Sequence, residues 1–166
     1  MFSIPIKGLG IGKHKFEFEV DGGFFKHFEE SEIKSCEYQV EVQLDKQVRM
    51  MEFNFIINGS YQAKCDRCLE MISIPSNAED RLLVKIGEEE IGDNEELVYL
   101  DENDQKFNLA PFIYEFIHLS KPLQNVKDCE GENFKDCDED VLNKLQAEKE
   151  VKNNPIWDQL KNIELG

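Results

Sequence analysis

Residues 36–44 read Cys-Glu-Tyr-Gln-Val-Glu-Val-Gln-Leu, and this unbroken alternation of apolar and polar residues is the pattern that decides the fold. A period of two is typical of a β-strand with one face in the core and the other in water. We therefore expect a strand here. Its buried face should carry the apolar set Cys36, Tyr38, Val40, Val42 and Leu44.

Similar patterns surround this stretch in the first half of the chain. Residues 14–20 alternate in the same way, and residues 51–57 predict a third strand whose buried side carries Met51, Phe53, Phe55 and Ile57. That strand should end near Asn58-Gly59, because this dipeptide is typical of turns and bulges. We also expect a short helical turn over residues 22–28 and further strands over residues 81–86 and 98–100.

The second half of the chain has the spacing of helices. Apolar residues recur at the i, i+3, i+4, i+7, i+8 positions of one buried helical stripe, namely Leu109, Phe112, Ile113, Phe116 and Ile117. Asn108 is a suitable N-cap residue, and Lys121-Pro122 should end the helix. A second helix is expected from Asp138 to about Glu150, because its acidic start suits the positive end of a helix dipole.

Strands followed by helices predict an α+β domain, with a mainly antiparallel sheet in the N-terminal half packed by one or two helices from the C-terminal half. The 166 residues suit one domain, and 40% hydrophobic residues suffice for a core. We expect a single domain over residues 1–150. Residues 151–166 should form a short amphipathic C-terminal tail, with apolar residues Ile156, Trp157, Leu160 and Ile163.

The charge of the chain disfavours nucleic acid as a direct ligand. Acidic residues number 35 and basic residues 19, which gives a formal net charge of −16 that repels a phosphate backbone. Two runs are strongly acidic: Glu88 to Asp104 holds nine acids without Lys or Arg, and Asp128 to Asp140 holds seven acids and one lysine. Each run is either a solvated, mobile loop or a docking surface for a basic partner, and the sequence leaves both interpretations open.

Compartment and redox state follow from what the sequence lacks. No stretch reaches the roughly 20 apolar residues of a membrane helix, and the N-terminal residues lack the charged start and apolar run of a signal peptide. We therefore expect a cytoplasmic protein without membrane association. In a reducing compartment, its five cysteines point to thiols or a metal site before disulfides.

The strongest chemical motif is the Cys-x-x-Cys pair of Cys65 and Cys68. A tight turn can bring two thiolates to one side of the chain, where they supply half of a tetrahedral zinc site. The other half could come from Cys129 and Cys137 in the second acidic run. These four cysteines are the candidate metal ligands, with zinc as the candidate cofactor. The alternative is a set of reduced thiols without a metal.

Catalytic patterns are scarce in this sequence. A thioredoxin-type pair lies at the start of a helix, whose dipole lowers the pKa of a thiol, whereas residues 69–75 alternate like a strand. The sequence has no P-loop, no Gly-x-Ser-x-Gly and no His-Glu-x-x-His. Cys36 is expected to be a buried apolar residue, and His118 to face solvent. We therefore expect no catalytic residue.

Several of these features together resemble a known family. Gly59, followed by Cys65-x-Arg67-Cys68-Leu69, resembles the central motif of the YceD family. Residues 109–122 are similar to the second block of that family, which has a central Glu and then Leu-x-x-Pro. Further matching positions are Glu115, Leu119, Pro122, Cys129 and the segment from Pro155 to Lys161.

This resemblance implies a role in the synthesis, processing or stability of large-subunit ribosomal RNA, and it brings no established catalytic residue. Taken with the charge, it predicts a non-catalytic ribosome-biogenesis factor that reaches the RNA indirectly, through a basic ribosomal protein or a pre-ribosomal particle. The alternatives are a cysteine-dependent redox or other enzyme that uses Cys65 and Cys68, and a generic acidic protein-interaction module. Replacing both cysteines by Ser separates the enzyme from the assembly factor.

Overall fold

The computed structural model describes residues 2–28, 31–87, 97–126, 138 and 140–144. Its elements follow one another as β1 Ser3–Pro5, β2 Gly12–Asp21, α1 Gly22–Phe25, β3 Cys36–Lys46, β4 Met50–Lys64, β5 Met71–Ile86, β6 Leu97–Leu100, β7 Lys106–Asn108 and α2 Ala110–Leu119. Strands precede helix α2, so the predicted α+β class is confirmed. Within these ranges no helix has the length and apolar character needed to cross a membrane.

Five of the strands form one sheet in the order β2-β3-β4-β5-β6, and β1 pairs with β7 in a separate two-stranded sheet. The ladders β2–β3, β3–β4 and β1–β7 are antiparallel, whereas β5 and β6 run parallel. The register places Val40 of β3 between Phe18 of β2 and Ile57 of β4. Strand β2 is therefore an edge strand of the larger sheet.

The chain divides into two compact units. The first comprises Met1–Ala63 and Ser73–Asn125, and the second comprises Lys64–Ile72 and Val126–Gly166. The larger part of the sheet and helix α2 belong to the first unit, and the Cys-x-x-Cys segment belongs to the second. The expected single domain over residues 1–150 stays a prediction, and the expected tail over residues 151–166 lies outside the described residues.

The core of the first unit forms where the sheet meets helix α2. Every residue expected on the inner face of β3 beyond Cys36 is buried, as are the alternate residues of β4: Tyr38, Val40, Val42, Leu44, Met51, Phe53, Phe55 and Ile57. The ring of Phe55 lies 5.0 Å from that of Phe116, measured between centroids. Ile113 and Ile117 of the helix are also buried. The predicted packing of the helical stripe on the sheet is confirmed.

Strand β4 does not end at Asn58-Gly59, and this expectation was wrong. The strand continues to Lys64, and Gly59 lies directly opposite Tyr38 of β3. A Cβ atom on Gly59 would lie 2.7 Å from the Cα atom of Tyr38 and would also meet the carbonyl oxygen of Glu37. The glycine is therefore required by close approach to the neighbouring strand, and it does not form a turn.

A side-chain oxygen accepts a hydrogen bond near the start of helix α2 and of the helical residues 140–144, although the start of α2 differs from the expectation. Asn108 ends strand β7, and Leu109 takes the N-cap position of α2, but the Oδ1 atom of Asn108 accepts a hydrogen bond from the N–H of Ala110 at 3.1 Å. Helix α2 ends at Leu119, ahead of Lys121-Pro122. In the second unit, Oδ1 of Asp138 accepts hydrogen bonds from the N–H groups of Asp140 and Val141, and residues 140–144 are helical. The expected continuation to Glu150 lies outside the described residues.

The first acidic run is partly structured. Residues 97–100 form β6, and the N–H of Asp104 donates to the carbonyl oxygen of Asp101 at 3.0 Å. The described part of the run thus includes a strand, so the interpretation as a mobile loop does not hold for residues 97–100. Residues 88–96, and residues 128–137 of the second run, lie outside the described residues.

Candidate functional site

The Cys-x-x-Cys pair occupies a tight turn between β4 and β5. The N–H of Leu69 donates to the carbonyl oxygen of Cys65 at 2.9 Å, and the N–H of Cys65 donates to that of Glu70 at 2.8 Å. Leu69 has a φ of 64°, in the left-handed region that a tight reversal requires. Cys65 is 0% exposed and Cys68 is 7% exposed. The segment therefore holds both sulfur atoms out of solvent.

This turn suits half of a metal site. The N–H of Arg67 points to the Sγ atom of Cys65, with an N···S distance of 3.5 Å, and such a donor stabilises negative charge on sulfur. In the part of the chain that the structure describes, no group of three or more His, Cys, Asp or Glu residues could hold a metal ion. Cys129 and Cys137 lie outside the described residues. The four-cysteine zinc site therefore stays a prediction.

The surroundings of the pair differ from those of a redox pair. A catalytic Cys-x-x-Cys gains its reactivity from the N-terminus of a helix. Here the turn leads directly into β5, which begins at Met71. The strand expected after Cys68 is thus confirmed, and no helix dipole from this segment acts on the two sulfur atoms.

Cys36 was expected to be buried, but it is only partly so. It begins β3 beside the edge strand, and its residue remains half-buried. Burial, with a smaller contribution from the charge of Asp21, raises the pKa of Cys36 to about 11. The thiol is therefore protonated at neutral pH and is a poor nucleophile.

His118 is not the solvated residue that we expected. Its ring lies 4.1 Å from that of Tyr114 and 5.8 Å from that of Phe25, and its Nδ1 atom contacts the carbonyl oxygen of Tyr114 at 2.9 Å. The ring of Phe28 stacks on the ring of Tyr114, with 4.1 Å between the two centroids. A helical wheel does not include this environment in full, because Phe25, which packs on His118, comes from α1.

The outer face of β2, β3 and β4, which points away from helix α2, is strongly acidic. Within the first unit, its alternate positions on these strands carry two lysines, Lys13 and Lys15, and seven carboxylates, Glu17, Glu19, Asp21, Glu37, Glu41, Asp45 and Glu52. We call this set of side chains the outer acidic face. It offers a negative surface on a rigid element, which the two acidic runs of the sequence did not predict.

Several of these acids lie directly opposite one another on neighbouring strands. The acid–acid pairs are Glu17 with Glu41, Asp21 with Glu37, and Asp45 with Glu52. Like charges in such positions destabilise a sheet. Lys15 offsets the first pair, because its Nζ atom lies 2.9 Å from Glu17 and 3.0 Å from Glu41, and these hydrogen bonds raise the pKa of Lys15.

A groove of about 1210 Å³ borders this face in the first unit. Its walls come from the end of β2, the start of β3, the segment around α1 and the start of helix α2, and its lining includes Phe2, Val20, Phe24, Phe28, Cys36, Tyr38 and Pro111. The lining residues, all within the described ranges, include the carboxylates Glu19, Asp21 and Glu37 but no Lys or Arg. The groove thus combines aromatic walls with an acidic rim.

Sequence reasoning missed both surfaces. The alternation of residues 36–44 did place Glu37 and Glu41 on the face away from the core, which was a usable signal. The register that sets Glu17 beside Glu41 cannot be read from one strand alone. The groove depends on Phe2 and Pro111, which are far apart in the chain.

Comparisons with known proteins bear on the family. No curated protein and no solved structure matches the chain. The profile of one family, described as the large ribosomal RNA subunit accumulation protein YceD, matches residues 53–164, more than half of the chain. That range contains the turn with Cys65 and Cys68, helix α2 and the segment from Pro155 to Lys161. The chain therefore belongs to the YceD family.

Proposed function

We propose that this chain is a non-catalytic, cytoplasmic ribosome-biogenesis factor that binds a basic ribosomal protein, alone or within a pre-ribosomal particle, through its outer acidic face. The name of its family links it to the accumulation of large-subunit ribosomal RNA. In this proposal the RNA is reached indirectly, because the basic protein forms the contact between them. The outer acidic face is the observation that carries the proposal.

Gathering carboxylates on one surface of a sheet costs stability. Asp21 and Glu37 face each other across the β2–β3 ladder, and within the described residues neither carboxylate forms an ion pair. A surface of this kind lowers the stability of the sheet unless something compensates. Lys and Arg side chains of a partner would supply the missing positive charge, and their attraction would speed association.

Direct binding to RNA is the less favoured route. Neutralising phosphates requires Lys and Arg on one surface. Within the first unit, the basic residues on the outer face of β2–β4 are Lys13 and Lys15, and the ammonium group of Lys15 is held by Glu17 and Glu41. A net charge of −16 further opposes approach to a phosphate backbone.

The test is a binding titration with purified components. Basic large-subunit ribosomal proteins and naked large-subunit ribosomal RNA are offered separately to the full chain, at low and at high salt. We expect a basic protein to bind and its affinity to fall steeply as salt rises. The triple variant Glu17→Gln, Glu41→Gln, Glu52→Gln should bind that protein about tenfold more weakly, at roughly half a kcal/mol for each surface charge.

A second triple variant provides the matched control. It carries Glu70→Gln, Glu102→Gln and Glu115→Gln, which remove the same net charge at exposed positions outside the outer acidic face. This control should bind the basic protein within about twofold of the unmodified chain, since scattered surface charges contribute little. Tight binding of naked RNA that the first triple variant leaves unchanged would refute the proposal.

A further inference from the structure

The groove beside the outer acidic face has a chemistry that selects one kind of occupant. We infer that it binds an extended segment of a protein partner in which basic and apolar side chains alternate. This inference rests on the proposed function and names the part of the partner that the first unit would recognise. Three properties of the groove support it.

The first property is the charge of the rim. Glu19, Asp21 and Glu37 line the groove. Glu19 and Glu37 are exposed, and no ion pair involving either is present among the described residues. The Oδ1 atom of Asp21 accepts hydrogen bonds from the N–H groups of Gly23 and Phe24, which fixes that carboxylate at the start of α1. A concave site with charges of one sign attracts the opposite charge, so the rim favours Lys and Arg.

The second property is the set of aromatic rings along the wall. The ring of Phe24 lies 4.7 Å from that of Phe2 and 5.3 Å from that of Phe28, measured between centroids. Phe24 is buried, whereas Phe2 and Phe28 are half-buried and keep part of their surface at the groove. Such rings accept apolar side chains, and an Arg guanidinium can also stack on them. The occupant should therefore carry apolar as well as basic groups.

The third property is the position of the groove at a sheet edge. Strand β2 ends with Glu19, Val20 and Asp21, which line the groove. This strand has β3 on one side and, within the described residues, no strand on the other. An edge strand can pair with an added extended segment, whose side chains then alternate between two faces. Alternation would direct basic side chains to the acidic rim and apolar ones to Phe2 and Phe28. The volume of about 1210 Å³ exceeds the range typical of small-ligand sites, which suits several side chains.

The experiment uses three short fluorescent peptides of equal length and the full chain. The first alternates Arg with Leu, the second Arg with Gly, and the third Glu with Leu. Fluorescence anisotropy should show that the Arg-Leu peptide binds at least about tenfold more tightly than either of the others, since it alone satisfies both the rim and the rings. In NMR spectra of the chain, the amide chemical-shift changes that the Arg-Leu peptide causes should cluster at residues 19–21 and 36–39.

Variants then test the role of the rim. The double variant Glu19→Gln, Glu37→Gln should weaken binding of the Arg-Leu peptide by about tenfold, because it leaves one fixed carboxylate at the groove. The control Glu102→Gln, Glu115→Gln removes the same charge elsewhere and should change the affinity by less than about twofold. The inference would be overturned if the Glu-Leu peptide bound as tightly as the Arg-Leu peptide, or if the two double variants had equal effects. It would also be overturned if the amide chemical-shift changes lay away from the groove.

The two proposals can fail separately. If a basic ribosomal protein binds the full chain and is lost with the outer-face triple variant, but Glu19→Gln, Glu37→Gln has no effect on it, the proposed function stands and the groove inference fails. If the Arg-Leu peptide binds in the groove but no basic ribosomal protein binds, the inference stands and the partner named in the proposed function is wrong. Binding of naked RNA at residues 19–21 would overturn both.

Discussion

Gly59 shows how one residue can be fixed by the strand beside it. It lies in the middle of β4, where glycine lacks a side chain to pack and loses more backbone entropy than other residues on folding. The ring of Tyr38 and the backbone of residues 37 and 38 occupy the space where its side chain would be. Tyr38 is 1% exposed, so this space is part of the core. The close approach of β3 explains the glycine without any turn.

Replacing Gly59 by Ala should therefore destabilise the protein. The added methyl group would meet backbone atoms, which cannot move aside as a flexible side chain can, and overpacking of this kind costs about 1–3 kcal/mol. Urea unfolding should show that loss in the free energy of unfolding. Gly8→Ala is the matched control, because nothing lies within 4 Å of its added Cβ atom, and its effect should stay within about 0.5 kcal/mol. Equal stabilities of the two variants would contradict this explanation.

Cys36 should make the stability of the fold depend on alkaline pH. Burial raises its pKa to about 11, whereas a thiol in an unfolded chain titrates near about 8.5. The folded state thus keeps a proton that the unfolded state has lost, and the free energy of unfolding should fall as pH rises from about 9 to about 11. Cys36→Ala should flatten this decline in urea unfolding series. The neighbouring Ser35→Ala should leave the decline unchanged. If the free energy of unfolding fell with pH in the same way for the unmodified chain and for Cys36→Ala, the thiol would not be responsible for the decline.

At the scale of the element, helix α2 depends on one apolar stripe for its position. Leu109, Ile113 and Ile117 are 0% exposed, and Phe116 packs edge-on against Phe55 of β4. The opposite side of the helix carries Glu115 and Leu119, which are exposed. Since a helix of ten residues has little stability by itself, burial of this stripe is what holds it.

Phe116→Ala should thus cost about 3 kcal/mol, through lost burial and the cavity left beside Phe55. Leu119→Ala on the same helix removes an apolar side chain that is 71% exposed, and it should cost less than about 0.5 kcal/mol. The comparison is made by urea unfolding, with circular dichroism to verify that both variants keep their helix. A cost below about 1 kcal/mol for Phe116→Ala would mean that the helix does not rest on the sheet as described.

Element types were readable from the sequence, but element ends and partners were not. Alternation identified β2, β3 and β4 because each has one face in the core, and the stripe identified α2 for the same reason. Strand β5 runs unbroken from Met71 to Ile86, whereas the sequence indicated strand patterns only over residues 69–75 and 81–86, because Ser76 to Asp80 is a mainly polar stretch that local propensity assigns to loops. The pairing of β1 with β7 is a contact between the two ends of the described first unit, and no local pattern encodes it.

At the scale of the whole molecule, folding creates a charge pattern that differs from the one in the linear sequence. The sequence draws attention to residues 88–104 and 128–140, where acids are consecutive. The outer acidic face instead collects acids that alternate with apolar residues on three strands, so none of them belongs to a run. Only the strand register brings Glu17 to Glu41 and Asp21 to Glu37. A candidate binding surface of this kind therefore requires the fold before it can be recognised.

The candidate zinc ligands come from two distant parts of the chain. We propose that Cys65 and Cys68 bind zinc together with Cys129 and Cys137. The turn keeps both of its sulfur atoms buried, and the N–H of Arg67 points to Cys65, an arrangement that suits a thiolate ligand. A tetrahedral ion with four sulfur ligands would close a loop of 60 residues between Cys68 and Cys129, so metal binding would add directly to folding stability.

Metal analysis of reduced protein should give about one zinc per chain, and Cys129→Ser should lower that content and the thermal midpoint together. Cys36→Ser is the matched control and should keep its zinc, because Cys36 lies in the first unit and borders the groove. Zinc content that is unaffected by Cys129→Ser, or equally lowered by Cys36→Ser, would refute this ligand set.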